Sequence, residues 1–576
     1  MKKALILFLF LNVILFSQNV KITLLETSDV HGKIFPYDFV NEKETDHSLA
    51  AVKYYTDSLR SIKDQSTILL DNGDILQGSP AVYYYNYIDT ISPHLYAEVM
   101  NYIGYDVATI GNHDIEAGHA VYDRFREDLK FPWLAANAID VSTGEPYFQP
   151  YQIIEKSGVK IAILGLITPG IPDWLPPNIW SGIDFEDMVT TARKWVSIIE
   201  EKENPDIIVG LFHSGVEYTY GGVKRETPRN ENASLIVAED VPGFDVVFVG
   251  HDHHGWNKFV TNSDGDSVLV IGTTASARDI AKVDVNFNKS NGKFTISGDI
   301  VNLRGAKVDE QYLSDFKPQF EKIKSFVDKK IGVLTEDICS GESVIQNAKF
   351  TDLIHKIQLE ISGADISLAA PLSMNTCLKA GDIKVAHLFD LYRYENLLYT
   401  MKLTGKEIKD YLEYAVNLRY NSADSPHIFK FRMENGVPVL NKQGKASPEN
   451  SFYNFDDAEG LDYIVDLDKP EGSRVKIKSF TNGNDFDENA SYSVAVNSYR
   501  GSGGGGHLTK GAGIPKEELN NRITNSTDAD LRFYMINYFE KYKTITPVVT
   551  QNWKLAPEDE VNQKIQEDKK LLFGTN

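Results

Sequence analysis

Five short motifs rich in Asp, His and Asn each follow an apolar run of the chain. Short, β-branched runs of this kind predict buried strands. Residues just past the ends of different strands converge at one edge of a sheet, where loops are held on a rigid base. The motifs therefore predict one spatial cluster. They are Asp29-Val30-His31, Gly73-Asp74, Gly111-Asn112-His113-Asp114, His213 and Gly250-His251-Asp252-His253.

The side chains in these motifs are oxygen and nitrogen ligands for a pair of divalent cations. Such a pair, about 3.5–4 Å apart, needs a carboxylate that bridges both ions, and Asp74 is the predicted bridge. Mixed ligation of this kind suits Mn²⁺, Zn²⁺, Co²⁺ or Fe²⁺ and does not choose among them. The predicted ligands are Asp29, His31 and His253 for one ion, and Asn112, His213 and His251 for the other.

His113 has a different predicted role, because it follows the ligand Asn112 and precedes two carboxylates, Asp114 and Glu116. Either carboxylate can accept one ring proton and fix the tautomer. A histidine so placed stabilises a transferring phosphoryl group or protonates the leaving oxygen, which contributes about 10²–10⁴ in rate. The histidines interpreted as structural are His47, His94, His119, His254 and His387.

In this order the motifs resemble those of calcineurin-like metallophosphoesterases, and the chain as a whole resembles the secreted 5'-nucleotidase family. Within that family the similarity is greatest to the 2',3'-cyclic-nucleotide 2'-phosphodiesterase/3'-nucleotidases. The stretches that carry the resemblance are ETSDVHG at 26–32, DNGDILQGSP at 71–80, YNFD at 453–456 and NSYRGSGGGG at 497–506.

The resemblance implies an α/β catalytic domain, a four-layer α/β/β/α sandwich, followed by an α+β substrate-binding domain. It also implies small-molecule nucleotides as substrates. A hydroxide held between the two ions would open a 2',3'-cyclic nucleotide to the 3'-nucleotide, and a second round would release nucleoside and phosphate.

The nucleobase contacts implied by the resemblance lie in the second domain. Tyr453 and Tyr499 match aromatic positions that stack on the two faces of the base, and stacking tolerates different bases. Gly503 and Gly504 lie in the glycine-rich loop that follows the alternating strand Tyr492 to Val496. Glycines there would let the backbone approach a ligand closely.

One departure from the family pattern bears on specificity. The 5'-nucleotidases carry an arginine early in the second domain that grips the phosphate, whereas residues 368–375 read LAAPLSMN here. Lys379 is a poor replacement for a bidentate guanidinium. This favours the cyclic-phosphodiesterase branch. The alternatives are a 5'-nucleotidase or nucleotide-sugar hydrolase of the same fold, and a non-catalytic nucleotide-binding surface protein.

Composition and the N-terminus restrict partners and location. An excess of 81 acidic over 59 basic residues argues against a nucleic-acid polymer as partner. Lys2-Lys3 followed by an apolar run to Phe16 predicts a signal peptide over 1–18 and an exported, periplasmic or secreted bacterial protein without a stable membrane anchor. A monomer is expected. Cys339 and Cys377 are equally compatible with one disulfide and with two free thiols.

The predicted domain organisation has a catalytic domain over 20–305, a linking helix over 306–333 and a nucleotide-binding domain over 334–555. Residues 556–576 read as a charged tail that lies on the surface or frays. The strongest local signal is Thr404-Gly405-Lys406-Glu407, a capping box that begins an amphipathic helix.

Overall fold

Two six-stranded sheets lie face to face in the first half of the chain, in a computed structural model that describes residues 19–574. The predicted signal peptide, 1–18, lies outside the described residues. The first sheet runs, in spatial order, Lys293–Asn302, Asp279–Asn288, Asn19–Thr27, Gln65–Asp71, Val107–Thr109 and Trp133–Leu134. The second runs Trp256–Thr261, Ser267–Gly272, Val246–Val249, Ile207–His213, Val159–Ile167 and Tyr151–Lys156.

Side-chain alternation along the strands divides the apolar residues between two sides of each sheet. Ile22 and Leu24 point toward the other sheet, where they share a core with Leu211, whereas Leu25 points toward the helices. Helices cover both outer faces, so the predicted α/β/β/α sandwich is confirmed. The helices are Leu49–Arg60, Pro80–Tyr83, Leu95–Ile103, Asn112–Glu116, His119–Asp128, Ile171–Trp174, Met188–Glu203 and Ser234–Asp240.

The linking segment differs from the single predicted helix. It forms two helices, Glu310–Asp315 and Lys317–Val327, and continues into the strand Lys330–Leu334. Pro318 lies in the first turn of the second helix, where its missing N–H is tolerated. Apolar residues at helical spacing in this segment are buried in the core of the first domain, so this segment is an outer layer of that domain as well as a connection. They include Tyr312, Phe316, Ile323 and Val327.

The second domain is built on a mixed five-stranded sheet, in the order Asp457–Glu459, Ile366–Ala369, Ser491–Asn497, Leu398–Thr404 and Ile523–Ser526. Two three-stranded sheets flank it: Gly381–Lys384, Lys330–Leu334, Thr544–Ile545, and Val475–Phe480, Leu461–Asp466, Trp553–Ala556. Its main helices are Lys349–Ser362, Val385–Leu391, Gly405–Arg419, Leu531–Tyr542 and Glu558–Phe573.

The predicted capping box is confirmed. The Thr404 hydroxyl accepts from the Glu407 backbone N–H, and the Glu407 carboxylate accepts from the Thr404 N–H at 2.7 Å. Both unpaired donors at the start of the helix are thereby satisfied.

The C-terminal segment does not fray, contrary to the prediction. Residues Glu558–Phe573 form a helix that buries Val561, Ile565 and Leu572 in the core of the second domain. The buried Asp568 accepts from the Phe429 backbone N–H at 2.9 Å and contacts the His427 ring at 2.7 Å. Charged residues dominate the exposed side of this helix, and they obscure its apolar spacing in the sequence.

Cys339 and Cys377 are joined in a disulfide between two short paired strands. This decides between the two states that the sequence left open. None of the helices within residues 19–574 combines the length and the apolar character that a bilayer crossing requires.

Candidate active site

The five motifs leave the two central sheets at one edge. Thr27 pairs with Asp71 in parallel register, so the loops that follow them start side by side. The Asp29 N–H donates to the Gly73 carbonyl at 3.0 Å, which joins the two loops directly. His213 is the last residue of its strand in the second sheet. The structure therefore confirms that the strand ends carrying the motifs converge.

The backbone of these loops is strained. Left-handed φ angles between 48° and 73° occur at Asp29, His31, Asp74, His251 and His253. Non-glycine residues hold this conformation at a cost of about 1–3 kcal/mol each, and only where the surroundings enforce it. All five are predicted metal ligands. The strain turns each side chain back over its own strand end and into the shared site.

Glycines before three ligands allow the loops to approach one another. A Cβ on Gly111 would lie 2.1 Å from Asp74 Oδ1, and one on Gly250 would lie 2.1 Å from the Ser28 hydroxyl. A Cβ on Gly73 would lie 2.6 Å from the Gly111 nitrogen. Each of these three glycines is thus required, because a side chain there would collide with a neighbouring loop.

One candidate cation position lies among Asp29, His31 and His253, whose ligand atoms fall within 4.8 Å of one another. His253 Nε2 is 3.3 Å from Asp29 Oδ1 and 3.0 Å from His31 Nε2. The other Asp29 oxygen is held by the Ser28 hydroxyl at 2.6 Å and by the His251 N–H at 3.1 Å. Asp29 Oδ1 is buried without a hydrogen-bond partner. It faces the two imidazoles.

The second candidate position lies among Asp74, His213 and His251. His213 Nε2 is 3.1 Å from Asp74 Oδ2 and 3.1 Å from Asn112 Oδ1, and His251 Nδ1 is 2.8 Å from that amide oxygen. The amide oxygen of Asn112 thus lies beside both rings. All seven predicted ligands meet in this region.

The far side of each ring in the second group is fixed by a hydrogen-bond acceptor. His213 Nδ1 lies 2.5 Å from the Asn72 carbonyl, and His251 Nε2 lies 3.3 Å from Glu231. A proton placed on those nitrogens leaves His213 Nε2 and His251 Nδ1 with lone pairs directed at the site, as metal ligation requires.

The donor set fits two divalent cations. Asp74 Oδ2 and Asp29 Oδ1 are buried carboxylate oxygens without a hydrogen-bond partner, and each has one imidazole nitrogen nearby, that of His213 at 3.1 Å and that of His253 at 3.3 Å. Burial raises the pKa of Asp74, but His213 and His113 outweigh it and hold that pKa well below its usual range. Burial lowers the pKa of His213, but the Asp74 carboxylate raises it to about 10. The carboxylates thus attract positive charge, which cations would supply in place of protons.

His113 contacts one of its two candidate partners. Its Nδ1 lies 2.5 Å from Glu116 Oε2, and its backbone N–H donates to Asp74 Oδ1 at 2.8 Å. Burial lowers the pKa of His113, but Asp74 and Glu116 together raise it to about 9. The ring is therefore placed to keep a proton on Nδ1 toward Glu116 and to present Nε2 to the cavity.

Asp114 does not fill the role expected of it. Its two carboxylate oxygens accept backbone N–H groups from Asp74, Ile75, Leu76 and Gly111 at 2.8–2.9 Å. The side chain is fully buried. Asp114 therefore connects the loop before His113 to the loop that carries Asp74. Asp114 was predicted to act with the catalytic residues, and the structure instead gives it a structural role.

A cavity of about 400 Å³ leads from the metal ligands to the second domain. Asn112, His113 and His251 line one end of it, and Tyr453 and Tyr499 line the other. Both tyrosines are half-buried. The structure thus brings the two predicted aromatics to the same cavity as the predicted catalytic histidine.

Gly503 and Gly504 are absent from the residues that line this cavity. A Cβ on Gly504 would lie 2.5 Å from the Tyr499 ring, and one on Gly503 would lie 3.2 Å from Leu519. The sequence predicted that the backbone of these glycines would approach a ligand. In the structure Gly504 instead packs behind the Tyr499 ring, and a larger residue at this position would displace the ring.

Several cavity residues escaped the sequence analysis. Trp174 lies nearly parallel to the His251 ring, with centroids 5.6 Å apart and an interplanar angle of 23°. Tyr220 comes from the first domain, Tyr394 and Arg500 from the second. Arg500 directly follows Tyr499, which was the one available signal. Trp174 and Tyr220 lie in segments with no motif that pointed to them.

Two family models match this chain. The one described as calcineurin-like phosphoesterase matches residues 22–255, and the one described as 5'-nucleotidase, C-terminal domain, matches residues 330–510. The chain joins a calcineurin-like phosphoesterase domain to a 5'-nucleotidase C-terminal domain. With its two candidate cation positions it is a metal-dependent phosphoric ester hydrolase.

Relatives of this phosphoesterase share its full two-domain extent. The trifunctional nucleotide phosphoesterase protein YfkN of Bacillus subtilis is 26% identical over 601 residues, which cover 93% of this chain but 39% of that protein. A 2',3'-cyclic-nucleotide 2'-phosphodiesterase/3'-nucleotidase of Salmonella typhimurium is 26% identical over 606 residues, 93% and 89% of the two chains. The crystal structure of a 5'-nucleotidase precursor from Thermus thermophilus has a TM-score of 0.61 at 21% identity, with 93% and 100% covered, which shows a shared fold.

Proposed function

We propose that this phosphoesterase hydrolyses 2',3'-cyclic nucleotides to 3'-nucleotides, and these to nucleoside and phosphate. The observation that carries the proposal is the cavity that has His113 at one end and Tyr453 and Tyr499 at the other. A ligand with a phosphate at the metal ligands and a flat aromatic group between domains fits that arrangement. The Salmonella relative that bears this activity in its name supports the choice.

The absence of an arginine from residues 368–375 supports the cyclic-nucleotide branch over 5'-nucleotides. Leu372 of this segment lines the cavity with an apolar side chain. Lys379 does not substitute, because its Nζ lies 2.8 Å from Asp337 and its side chain is mostly exposed. No fixed guanidinium from this segment is available to grip a terminal phosphate.

When bound by the seven ligands, two divalent cations would neutralise the phosphate charge and lower the pKa of water. His113 would donate a proton from Nε2 to the leaving oxygen, while Nδ1–H donates to Glu116 and holds the ring in place. Tyr453 and Tyr499 would bind the base, and Trp174 would exclude water beside His251.

The two reactions balance as successive hydrolyses. In the first, the phosphorus–O2' bond breaks, the water oxygen becomes a phosphate oxygen, and O2' receives a proton to become a hydroxyl. In the second, the phosphorus–O3' bond breaks in the same way and releases inorganic phosphate. One proton donor, His113, would serve both steps, because the leaving group in each is a ribose oxygen.

The alternative is hydrolysis of 5'-nucleotides or nucleotide sugars. The second-domain family model carries the name of the 5'-nucleotidases, and that favours it. Turnover of 2',3'-cyclic AMP, 3'-AMP and 5'-AMP by metal-stripped and then metal-reconstituted protein separates the two. We expect activity only after reconstitution, with 2',3'-cyclic AMP and 3'-AMP preferred. A strong preference for 5'-AMP would overturn the proposal in favour of the alternative.

We also propose that the protein is exported, on the basis of Lys2-Lys3 and the apolar run that follows them. N-terminal sequencing of the protein from extracellular and periplasmic fractions should find the chain starting near Asn19. An uncleaved N-terminus in the cytoplasmic fraction would contradict export.

A further inference from the structure

Arg500 is a buried arginine in the cavity wall, 3% exposed. Its Nε donates to Asp456 Oδ2 at 2.7 Å, and its Nη1 donates to the Gly504 carbonyl at 3.0 Å. Its Nη2 donates to the Tyr453 carbonyl. The guanidinium carbon also lies 5.3 Å from the centre of the Tyr499 ring. One side chain therefore contacts the backbone of Tyr453 and the ring of Tyr499.

These two aromatics come from separate segments of the chain. Tyr453 lies in the 3₁₀ turn Phe452–Asn454, and Tyr499 lies in the short helix Ser498–Gly501. A flat ligand held between two rings needs a fixed gap between them, because stacking weakens steeply when the ring separation changes. Arg500 connects the two segments, because it contacts the backbone of Tyr453 and the ring of Tyr499.

Asp456 holds Arg500 in this position. Its Oδ2 accepts from the Arg500 Nε and from the Tyr411 hydroxyl at 3.0 Å, and its side chain is nearly fully buried. His507 lies 3.2 Å from the same oxygen, and its Nε2 contacts the Asn454 carbonyl at 3.0 Å. The guanidinium is thus fixed by a buried opposite charge, which is a strong constraint on its orientation.

The glycine run packs against these same groups. A Cβ on Gly504 would lie 2.5 Å from the Tyr499 ring, and a Cβ on Gly505 would lie 2.2 Å from Arg500 Nη1. Gly505 also has a left-handed φ of 73°. The glycines therefore leave the space that the arginine and the aromatic ring occupy.

We propose that Arg500 is a positioning residue that sets the gap between Tyr453 and Tyr499 and thereby the affinity for the nucleobase. The assignment rests on the proposed function, since it concerns how that substrate is held. Lysine at this position would keep the charge opposite Asp456, but a single ammonium cannot reproduce the planar set of bonds to Asp456 and the two carbonyls. We expect this substitution to leave the metal ligands in place, because the hydrogen bonds of Arg500 go to Asp456, Gly504 and Tyr453.

The test compares Arg500→Lys with a matched control, Arg419→Lys, using 3'-AMP and β-glycerophosphate, an ester with no aromatic ring. Arg419 is a buried arginine of the same domain, 2% exposed, and it also donates to backbone carbonyls, those of Ser343 and Val344. It does not line the cavity. For Arg500→Lys we expect KM for 3'-AMP to rise by about 5- to 100-fold with kcat little changed, and KM for β-glycerophosphate to stay constant. Arg419→Lys should leave both KM values unchanged.

Gly504→Ala tests the same gap without changing a charge, and it keeps the proposal testable if Arg500→Lys does not fold. We expect it to raise KM for 3'-AMP selectively, because its Cβ would push the Tyr499 ring. An unchanged KM for 3'-AMP in folded Arg500→Lys, an equal rise for both substrates, or an unchanged KM in Gly504→Ala would overturn the assignment. A wild-type protein that hydrolyses β-glycerophosphate but no nucleotide would instead overturn the proposed function.

Discussion

The two ends of the cavity are built in different ways. At the metal end the ligands come from backbone loops at strand ends, and five of them have left-handed φ angles. At the proposed nucleobase end the rings come from a 3₁₀ turn and a short helix that are held together by one buried arginine and one aspartate. The metal end depends on local backbone geometry, and the base end depends on a long-range side-chain network.

This difference predicts different responses to mutation. Changing a metal-end residue should abolish the chemistry for every substrate, whereas changing a base-end residue should affect only substrates that carry a base. If mutations at the two ends had the same substrate dependence, the proposed division of the cavity into a metal end and a base end would be wrong.

The largest expected effect is at Asp74. Asp74→Asn should lower kcat/KM for every ester by at least about 10³-fold, since changes to groups that merely orient a metal ligand already cost about 10–100-fold. Steady-state kinetics together with metal analysis by mass spectrometry checks this.

Asp245→Asn is the matched control, because Asp245 is a half-buried aspartate at the opposite end of the strands, where it accepts from the Ile208 N–H at 2.9 Å. It should keep its activity. If Asp74→Asn kept wild-type turnover in the presence of added metal, Asp74 would not be a metal ligand.

The next largest effect is at His113. His113→Asn should lower kcat by about 10²–10⁴-fold with the metal content intact, because a proton donor is lost while all seven ligands remain. Glu116→Gln should give a smaller loss, since it weakens only the orientation of the ring. Loss of metal in parallel with activity would instead make His113 a ligand.

A stability measurement tests the framework of the base end. Ile565→Ala in the C-terminal helix should destabilise the protein by about 2–5 kcal/mol, because it removes a fully buried side chain from the second core. Urea unfolding followed by circular dichroism reports this. Gln566→Ala, an exposed neighbour on the same helix, should stay within about 0.5 kcal/mol of the wild type. Equal stability of both variants would mean that this helix is not part of the core.

The smallest effect is expected at Tyr499. Tyr499→Ala should raise KM for 3'-AMP by an amount equivalent to about 1–3 kcal/mol and leave turnover of β-glycerophosphate, which has no aromatic ring, unchanged. Tyr542→Ala, a half-exposed tyrosine that contacts Glu360 away from the cavity, serves as the control. A parallel loss with both substrates would place Tyr499 at the reacting phosphate and not at the base.

The metal end was largely predictable because its signals are local. Each ligand lies within a few residues of a strand that shows as an apolar run, and the glycine before Asp74, Asn112 and His251 is in the same motif. The choice between Asp114 and Glu116 was not predictable. Both are close to His113 in sequence, and only the fold shows that Asp114 is occupied by four backbone N–H groups.

The base end was predictable only where a family resemblance supplied it. Tyr453 and Tyr499 were identified in that way, whereas Trp174, Tyr220 and the role of Arg500 have no local sequence pattern. The C-terminal helix was missed for a related reason. Its buried residues, Val561, Ile565 and Leu572, are separated by charged residues, and the core that covers them comes from distant segments.

By itself the sequence determined which side chains can bind cations and that strand ends would gather them, because apolar runs and short polar motifs act over a few residues. The tertiary structure alone decided which groups those side chains contact, which arginine faces the cavity, and which charged segment is buried. Those outcomes depend on segments far apart in the chain meeting in a dry interior, where each buried polar group requires a specific partner.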